Sequence, residues 1–141
     1  MAVFVIDASA TLPWCFADEA TAATNAVLTR LRTGVEAIVP AHWPVEVANA
    51  LLIAVRRQRI SPEDAHQFLR DLESLPIRVE TTTKNLVRAG VFPVAGQYGL
   101  TVYDAAYLEL AMREGIPLMT LDNDLRKAAR ASGVPLEGPQ P

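Results

Sequence analysis

The sequence predicts an α/β domain in which a mostly parallel sheet is flanked by helices. Short apolar runs of strand length alternate with longer segments whose apolar residues recur at helical spacing. The first run, residues 3–6, is apolar throughout, which is typical of a strand buried on both faces. A chain of 141 residues suits one domain. We expect that domain to span residues 1–136 and residues 137–141 to be a disordered tail.

The first half of the chain is predicted to contain two strands and three helices. The strand at residues 3–6 ends at Asp7, and a helix follows over residues 19–32. The second strand spans residues 37–39. Over residues 44–59 apolar residues recur every three or four positions, which indicates a helix with one core face. Ser61 and Pro62 then mark the start of a helix that runs to about Glu73, because serine caps helices and proline suits their first position.

The second half is predicted to continue the alternation. Its strands are residues 77–79 and 117–121, and its helices are residues 84–94, 104–113 and 125–131. Pro93 interrupts the first of these helices.

Composition excludes several classes of protein. The 13 basic and 16 acidic residues give a net charge of −3, which is not the charge of a protein that coats nucleic acid. One cysteine, Cys15, excludes an internal disulfide and a cysteine-based zinc site. The longest apolar stretch is too short to cross a bilayer, and the first residues lack a secretion signal. We therefore expect a cytoplasmic protein.

Four acidic residues stand where a parallel sheet would gather them. Asp7 and Asp122 each follow a predicted strand, and Glu46 and Asp104 each stand at the start of a helix. Ligands of such folds bind beyond the carboxyl ends of the strands. All four side chains can therefore lie at one edge of the sheet, and Asp124 could add a fifth.

Each acid also has a structural explanation. Asp7 and Asp124 could cap helices, and Glu46 and Asp104 could simply favour a positive helix end. These explanations are less convincing for all four acids at once, because gathering like charges at one edge is unfavourable. Each pair about 5 Å apart repels by roughly 3 kcal/mol at an effective dielectric near 20. A cation would offset that repulsion. Oxygen ligands select Mg²⁺ or Mn²⁺, which can activate water for phosphodiester hydrolysis. A capping or core role is favoured for His42 over metal ligation.

The same residues, in their local settings, resemble the PIN-domain nucleases, and most closely the VapC-type toxins of bacterial toxin–antitoxin pairs. The resemblance covers nearly the whole chain, and its order and spacing are more specific than any single piece. The matching segments are Val-Ile-Asp-Ala-Ser at 5–9, Pro-Val-Glu-Val-Ala-Asn-Ala-Leu at 44–51, Leu-Thr-Val-Tyr-Asp-Ala-Ala-Tyr at 100–107 and Gly-Ile-Pro-Leu-Met-Thr-Leu-Asp at 115–122.

The resemblance implies a three-layer α/β/α PIN-like domain that binds Mg²⁺ or Mn²⁺ and cuts RNA, leaving a 5′-phosphate and a 3′-hydroxyl. It also implies a homodimer and a VapB-type antitoxin partner. Ser9 and Thr120 would be hydroxyls that orient carboxylates or water. Both Asp122 and Asp124 lie near the expected place of the fourth acid, beside Asp7, Glu46 and Asp104.

Basic and aromatic residues suggest further contacts. Arg126 and Arg130 lie four apart on the last helix and could bind phosphate near the acids. Phosphate binding by Arg56, Arg57 and Arg59 is less favoured, because cations are expected at a helix C-terminus in any case. Trp14 is expected in the core, with an exposed anchor for an antitoxin as the alternative.

Two other functions compete with the nuclease. Asp122-Asn123-Asp124 has the Asp-x-Asp form of haloacid-dehalogenase-type phosphotransferases, but it lies only 17 residues from the C-terminus, and Ser9 stands where Asp7 would need a partner acid. The other is a catalytically weak PIN-like RNA-binding or regulatory module, which would be free to lose acids that are all present here.

Overall fold

The computed structural model describes residues 2–138, in which four parallel strands form one sheet flanked by helices. The order of strands across the sheet is β3-β2-β1-β4. The strands are β1 (Ala2–Ile6), β2 (Glu36–Val39), β3 (Ile77–Val79) and β4 (Leu118–Met119). All the pairings are parallel, which confirms the predicted α/β class.

The register of the central strand determines where Asp7 lies. Val5 is paired with Ile38 of β2 on one side and with Leu118 of β4 on the other. The last three residues of β1 are fully buried, as expected of a strand covered on both faces. At the carboxyl end of β1, the Asp7 N–H donates to the Met119 carbonyl oxygen at 3.1 Å. Asp7 therefore leaves the sheet beside the point where β4 ends.

Helices and short turns connect the strands. The helices are α1 (Ala8–Thr11), α2 (Ala22–Arg32), α3 (Trp43–Arg56), α4 (Pro62–Glu73), α5 (Lys84–Leu86), α6 (Phe92–Tyr98), α7 (Val102–Glu114) and α8 (Asn123–Ser132). Two 3-10 turns, Leu12–Trp14 and Ala17–Glu19, precede α2, and a π-helical turn, Val87–Val91, joins α5 to α6. None of the helices within residues 2–138 has the length and apolar character that a membrane span requires.

Two predicted helix boundaries are wrong for identifiable reasons. The helix α2 begins at Ala22 rather than Glu19, because Thr21 and Thr24 form a reciprocal capping box there. The segment predicted as residues 84–94 continues to Tyr98. Pro93 does not stop it, because Pro93 lies in the first turn of α6, where the missing N–H is not needed.

The strand predicted at residues 117–121 is shorter than expected. The Leu121 N–H donates to Ser9 Oγ at 2.9 Å, and the Asp122 N–H donates to Thr120 Oγ1 at 3.1 Å. These backbone groups bond to side chains rather than to β1, so β4 ends at Met119.

Trp14 belongs to the core, as favoured. It packs against the main apolar cluster, and its indole N–H donates to the Thr24 carbonyl oxygen at 2.8 Å. The start of α4 is also as predicted, since Ser61 Oγ accepts from the Asp64 N–H at 3.1 Å.

Two residues of the predicted disordered tail, Glu137 and Gly138, lie within the described part of the chain. The Glu137 N–H donates to the Leu118 carbonyl oxygen at 2.9 Å, and its carboxylate pairs with Arg30. Residues 139–141 of that prediction lie outside the described residues.

Candidate metal centre at the sheet edge

Asp7 is the most enclosed acid of the site. It is 5% exposed and caps α1, and its Oδ1 accepts from Ser9 Oγ at 2.7 Å and from the Ala10 N–H at 3.1 Å. Its Oδ2 accepts from the Thr120 hydroxyl. Burial raises the pKa of Asp7 to about 6, although these hydrogen bonds oppose the rise, and the charge of Glu46 raises it further. The carboxylate is therefore held in one orientation with its charge incompletely balanced.

Glu46 lies in the first turn of α3 and faces Tyr107 of α7. The buried Tyr107 hydroxyl donates to Glu46 Oε1. His42 Nε2 lies 3.3 Å from the same oxygen, close enough for an ion pair when the imidazole is protonated. Within residues 2–138, this nitrogen is buried and has no partner that satisfies hydrogen-bond geometry. Burial opposes ionisation of Glu46, but the contacts with His42 and Tyr107 outweigh it and lower the pKa.

Asp104 is half-buried in the first turn of α7. The helix is capped by Thr101, whose Oγ1 accepts from the Asp104 N–H at 3.1 Å. Burial raises the pKa of Asp104, and the charges of Asp122 and Glu46 raise it further. The acids from α3, α7 and the end of β4 therefore act on one another electrostatically.

Asp122 and Asp124 have different environments. Asp122 is half-buried and caps α8, with its Oδ1 accepting from the Leu125 N–H at 2.8 Å. Asp124 is exposed in the first turn of α8 and does not cap it, contrary to the structural explanation considered for it. Of the two, Asp122 is the one whose charge acts on Asp104.

Ser9 and Thr120 connect the ends of β1 and β4. Both hydroxyls donate to Asp7, and their own oxygens accept the N–H groups of Leu121 and Asp122. The two Oγ atoms lie 3.4 Å apart. The position of Asp7 is thus coupled to the loop that carries Asp122.

The two arginines of α8 do not have the common environment that their spacing suggested. Arg126 is 8% exposed, and its Nη1 donates to the Thr120 carbonyl oxygen at 3.0 Å, so it supports the loop after β4. Arg130 is exposed. After α3, Arg59 pairs with Asp18 and Glu19. Because Arg126 is buried and Arg130 is exposed, only Arg130 has the exposure expected of a phosphate contact.

Tyr107, which donates to Glu46, was not predicted as part of the candidate site. Its position three residues after Asp104 places both on one face of α7, and that spacing was the available signal. The role of Arg126 as a support for the Thr120 carbonyl had no comparable signal, because it depends on how α8 folds back onto β4.

The donor set suits a hard cation. The predicted ligands supply only carboxylate oxygens. Burial is the main cause of the raised pKa values of Asp7 and Asp104, and neighbouring carboxylates raise both further. Within residues 2–138 no three acidic, histidine or cysteine side chains form a ready-made metal site. Mg²⁺ keeps several waters and is commonly held through one or two carboxylates, so a preformed cluster of three is not a requirement for binding it.

Comparison with known proteins identifies the family. The model of the PIN domain matches residues 4–131. Ribonuclease VapC12 of Mycobacterium tuberculosis is 36% identical over 126 residues, 89% of this chain and 92% of that protein. The crystal structure of PAE2754 from Pyrobaculum aerophilum has a TM-score of 0.71 at 24% identity, covering 90% of this chain and 79% of that one. VapBC2 of Rickettsia felis, bound to a DNA fragment from its promoter, has a TM-score of 0.65 at 13% identity, covering 96% and 97%.

The two structural likenesses confirm the PIN-like form of the fold, while the family match and the Mycobacterium relative extend along most of the sequence. This chain therefore belongs to the PIN domain family and, within it, to the VapC group.

Proposed function

We propose that the chain is an Mg²⁺- or Mn²⁺-dependent endoribonuclease and the toxin of a toxin–antitoxin pair. The observation that carries the proposal is the buried Asp7 carboxylate, which three donors hold at the sheet edge near acids from three other segments. The 36% identity to a protein named as a ribonuclease supports the choice of RNA as substrate.

The ligands of the ion would be Asp7, Glu46, Asp104 and Asp122. The chemistry that such an ion supplies is the activation of water and the neutralisation of charge that develops on the phosphoryl group. The chain's own contribution is to fix the acids in place. Ser9 and Thr120 orient Asp7, and Tyr107 orients Glu46, through hydrogen bonds that their hydroxyls donate to the carboxylates.

The Tyr107 hydroxyl keeps its proton in this arrangement. Burial, the hydrogen bond to Glu46 and the charges of Glu46, Asp7 and Asp104 all raise the pKa of Tyr107. The phenol is therefore a donor at every physiological pH, and its role is to position Glu46 rather than to transfer a proton.

We also propose a VapB-type antitoxin as a protein partner and a homodimer as the assembled form. The Rickettsia structure is a VapBC pair, which supports the first. Support for a protein interface on this chain comes from apolar side chains that α3 exposes to solvent, namely Val45, Leu52 and Ile53.

The test of the nuclease proposal is cleavage of a labelled single-stranded RNA with Mg²⁺, with Mn²⁺ and with EDTA. We expect internal cuts with 5′-phosphate and 3′-hydroxyl ends in either metal, none in EDTA, and a loss of at least about a hundredfold in Asp7→Asn and Asp104→Asn. The exposed Asp124→Asn is the matched control and should keep most of the activity. Metal-specific RNA binding without cuts would instead favour a regulatory RNA-binding module.

A further inference from the structure

A cavity of about 230 Å³ lies beside the candidate metal centre. Its lining includes His42, which contacts Glu46, and Tyr103, which precedes Asp104 in α7. The volume is below the roughly 300–1,000 Å³ of sites for drug-sized ligands. The cavity therefore has room for a single ring system rather than a whole nucleotide.

The walls of the cavity are aromatic and apolar. Tyr103 is 66% exposed, and its ring makes a T-shaped contact with the His42 ring, with centroids 5.8 Å apart and planes at 62°. Val87 and Val91 of the π-helical turn also line the cavity, together with Val102 of α7. An exposed aromatic ring beside an apolar cavity is the arrangement on which unpaired bases stack.

The charged residues that line the cavity are two glutamates and one arginine. Glu109 is buried on α7 and accepts from Arg113 Nε at 3.0 Å, while Glu80 accepts from Arg113 Nη1 at 2.7 Å and from Nη2 at 2.9 Å. Two carboxylates thus share one guanidinium, and the donors of Arg113 are directed at them. Carboxylate oxygens have lone pairs for further donors, so the cavity offers acceptors to a ligand.

We propose that this cavity binds one nucleobase of the RNA next to the cut phosphodiester, and that it favours cytosine over uracil. In this arrangement the base stacks on Tyr103 and its exocyclic amino group donates to Glu80 or Glu109. Carboxylates accept from cytosine N4, whereas uracil presents the O4 oxygen at that position, which the carboxylates repel. The inference rests on the proposed ribonuclease function, since it assigns part of the same substrate.

The test is a titration of the whole chain with nucleosides in EDTA, in which the backbone amide chemical shifts are measured by NMR. Nucleosides carry no phosphate, so their binding does not depend on the metal centre. We expect cytidine to shift amide signals of residues 102–113 and to bind about tenfold more tightly than uridine.

Three variants separate the contributions. Tyr103→Ala should weaken the binding of both nucleosides about tenfold through loss of stacking. Phe92→Ala is the matched control, because Phe92 is 67% exposed but does not line the cavity, and it should change nothing. Glu80→Gln keeps an oxygen for Arg113 and adds a donor, so the preference for cytidine should fall to about threefold or less.

The proposal is overturned if neither nucleoside shifts these signals, or if uridine binds as tightly as cytidine. It is also overturned if Tyr103→Ala dissociates a dimer and leaves nucleoside binding unchanged. That result would mean that Tyr103 contacts a second copy of the chain rather than a base. Cytidine binding in a protein that cuts no RNA would instead contradict the nuclease function while the base site stands.

Discussion

Asp7 combines two roles that conflict in the metal-free protein. Its carboxylate caps α1 and ties β1 to the loop after β4 through Ser9 and Thr120. Burial nevertheless raises the pKa of Asp7 to about 6, above its ordinary value of 3.8. The folded protein therefore binds a proton at Asp7 more tightly than the unfolded chain does, and ionisation of Asp7 destabilises the fold.

The conflict predicts a specific pH dependence. As the pH rises from about 4 to about 6, ionisation of Asp7 lowers the unfolding free energy of the metal-free protein by about 3 kcal/mol. At higher pH the loss stays constant. Asp7→Asn has no such ionisation, so its stability relative to wild type should grow by that amount. Urea unfolding in EDTA between pH 4 and pH 7 measures the difference. A difference that does not change with pH would mean that Asp7 is not destabilised by burial.

Tyr107 provides a second prediction at this scale. Tyr107→Phe removes the donor to Glu46 but keeps a ring that is 1% exposed, so the core stays packed. We expect Mn²⁺ affinity to fall about 10- to 100-fold, with a stability change of only about 1 kcal/mol. Titration calorimetry measures the affinity, and Tyr98→Phe on α6 is the control. Unchanged Mn²⁺ affinity in Tyr107→Phe would show that Glu46 needs no such positioning.

At the scale of elements, α8 supports the loop that follows β4. Asp122 caps the helix, and Arg126 reaches back to the Thr120 carbonyl oxygen. The N–H groups of Leu121 and Asp122 do not pair with the backbone of β1, because they donate to the Ser9 and Thr120 hydroxyls. The last helix therefore contributes to the site through backbone position as well as through an acid.

This arrangement predicts unequal effects for two arginines on one helix. Arg126→Ala removes a buried guanidinium and should cost about 2–3 kcal/mol of unfolding free energy. Arg130→Ala, at an exposed position of the same helix, should stay within about 0.5 kcal/mol of wild type. Chemical denaturation compares them. Equal losses, or loss of RNA binding in Arg126→Ala without loss of stability, would return Arg126 to the role of a phosphate contact.

Local signals predicted the elements well where one residue decides the boundary, as Ser61 and Pro62 do for α4. They failed where several interactions compete. Pro93 reads as a break, yet a π-helical turn before it lets the segment continue to Tyr98. Likewise, Leu121 fits a strand by its apolar character, but Ser9, which lies 112 residues away in the chain, accepts its N–H.

At the scale of the whole molecule, the parallel sheet explains why distant acids influence one another. The strand β1 lies between β2 and β4, so the segments that follow them emerge at one edge, and α7 adds Asp104 there. The sequence predicted these acids as ligands because each follows a strand or begins a helix, and the electrostatic coupling of Asp104 to Glu46 and Asp122 is consistent with that prediction. It did not reveal Tyr107 or Arg126 as supports, since their partners are set by the packing of α7 and α8.

The central claim is that these acids bind a divalent ion, and melting temperature measures it most directly. Wild type, Asp7→Asn and the control Asp124→Asn are melted in EDTA and in millimolar MgCl₂ or MnCl₂. A ligand at a hundredfold excess over its dissociation constant stabilises the fold by about 2.7 kcal/mol. We predict that metal raises the melting temperature of wild type and of Asp124→Asn and leaves that of Asp7→Asn unchanged. An equal response of all three proteins, or no response in wild type, would contradict the claim.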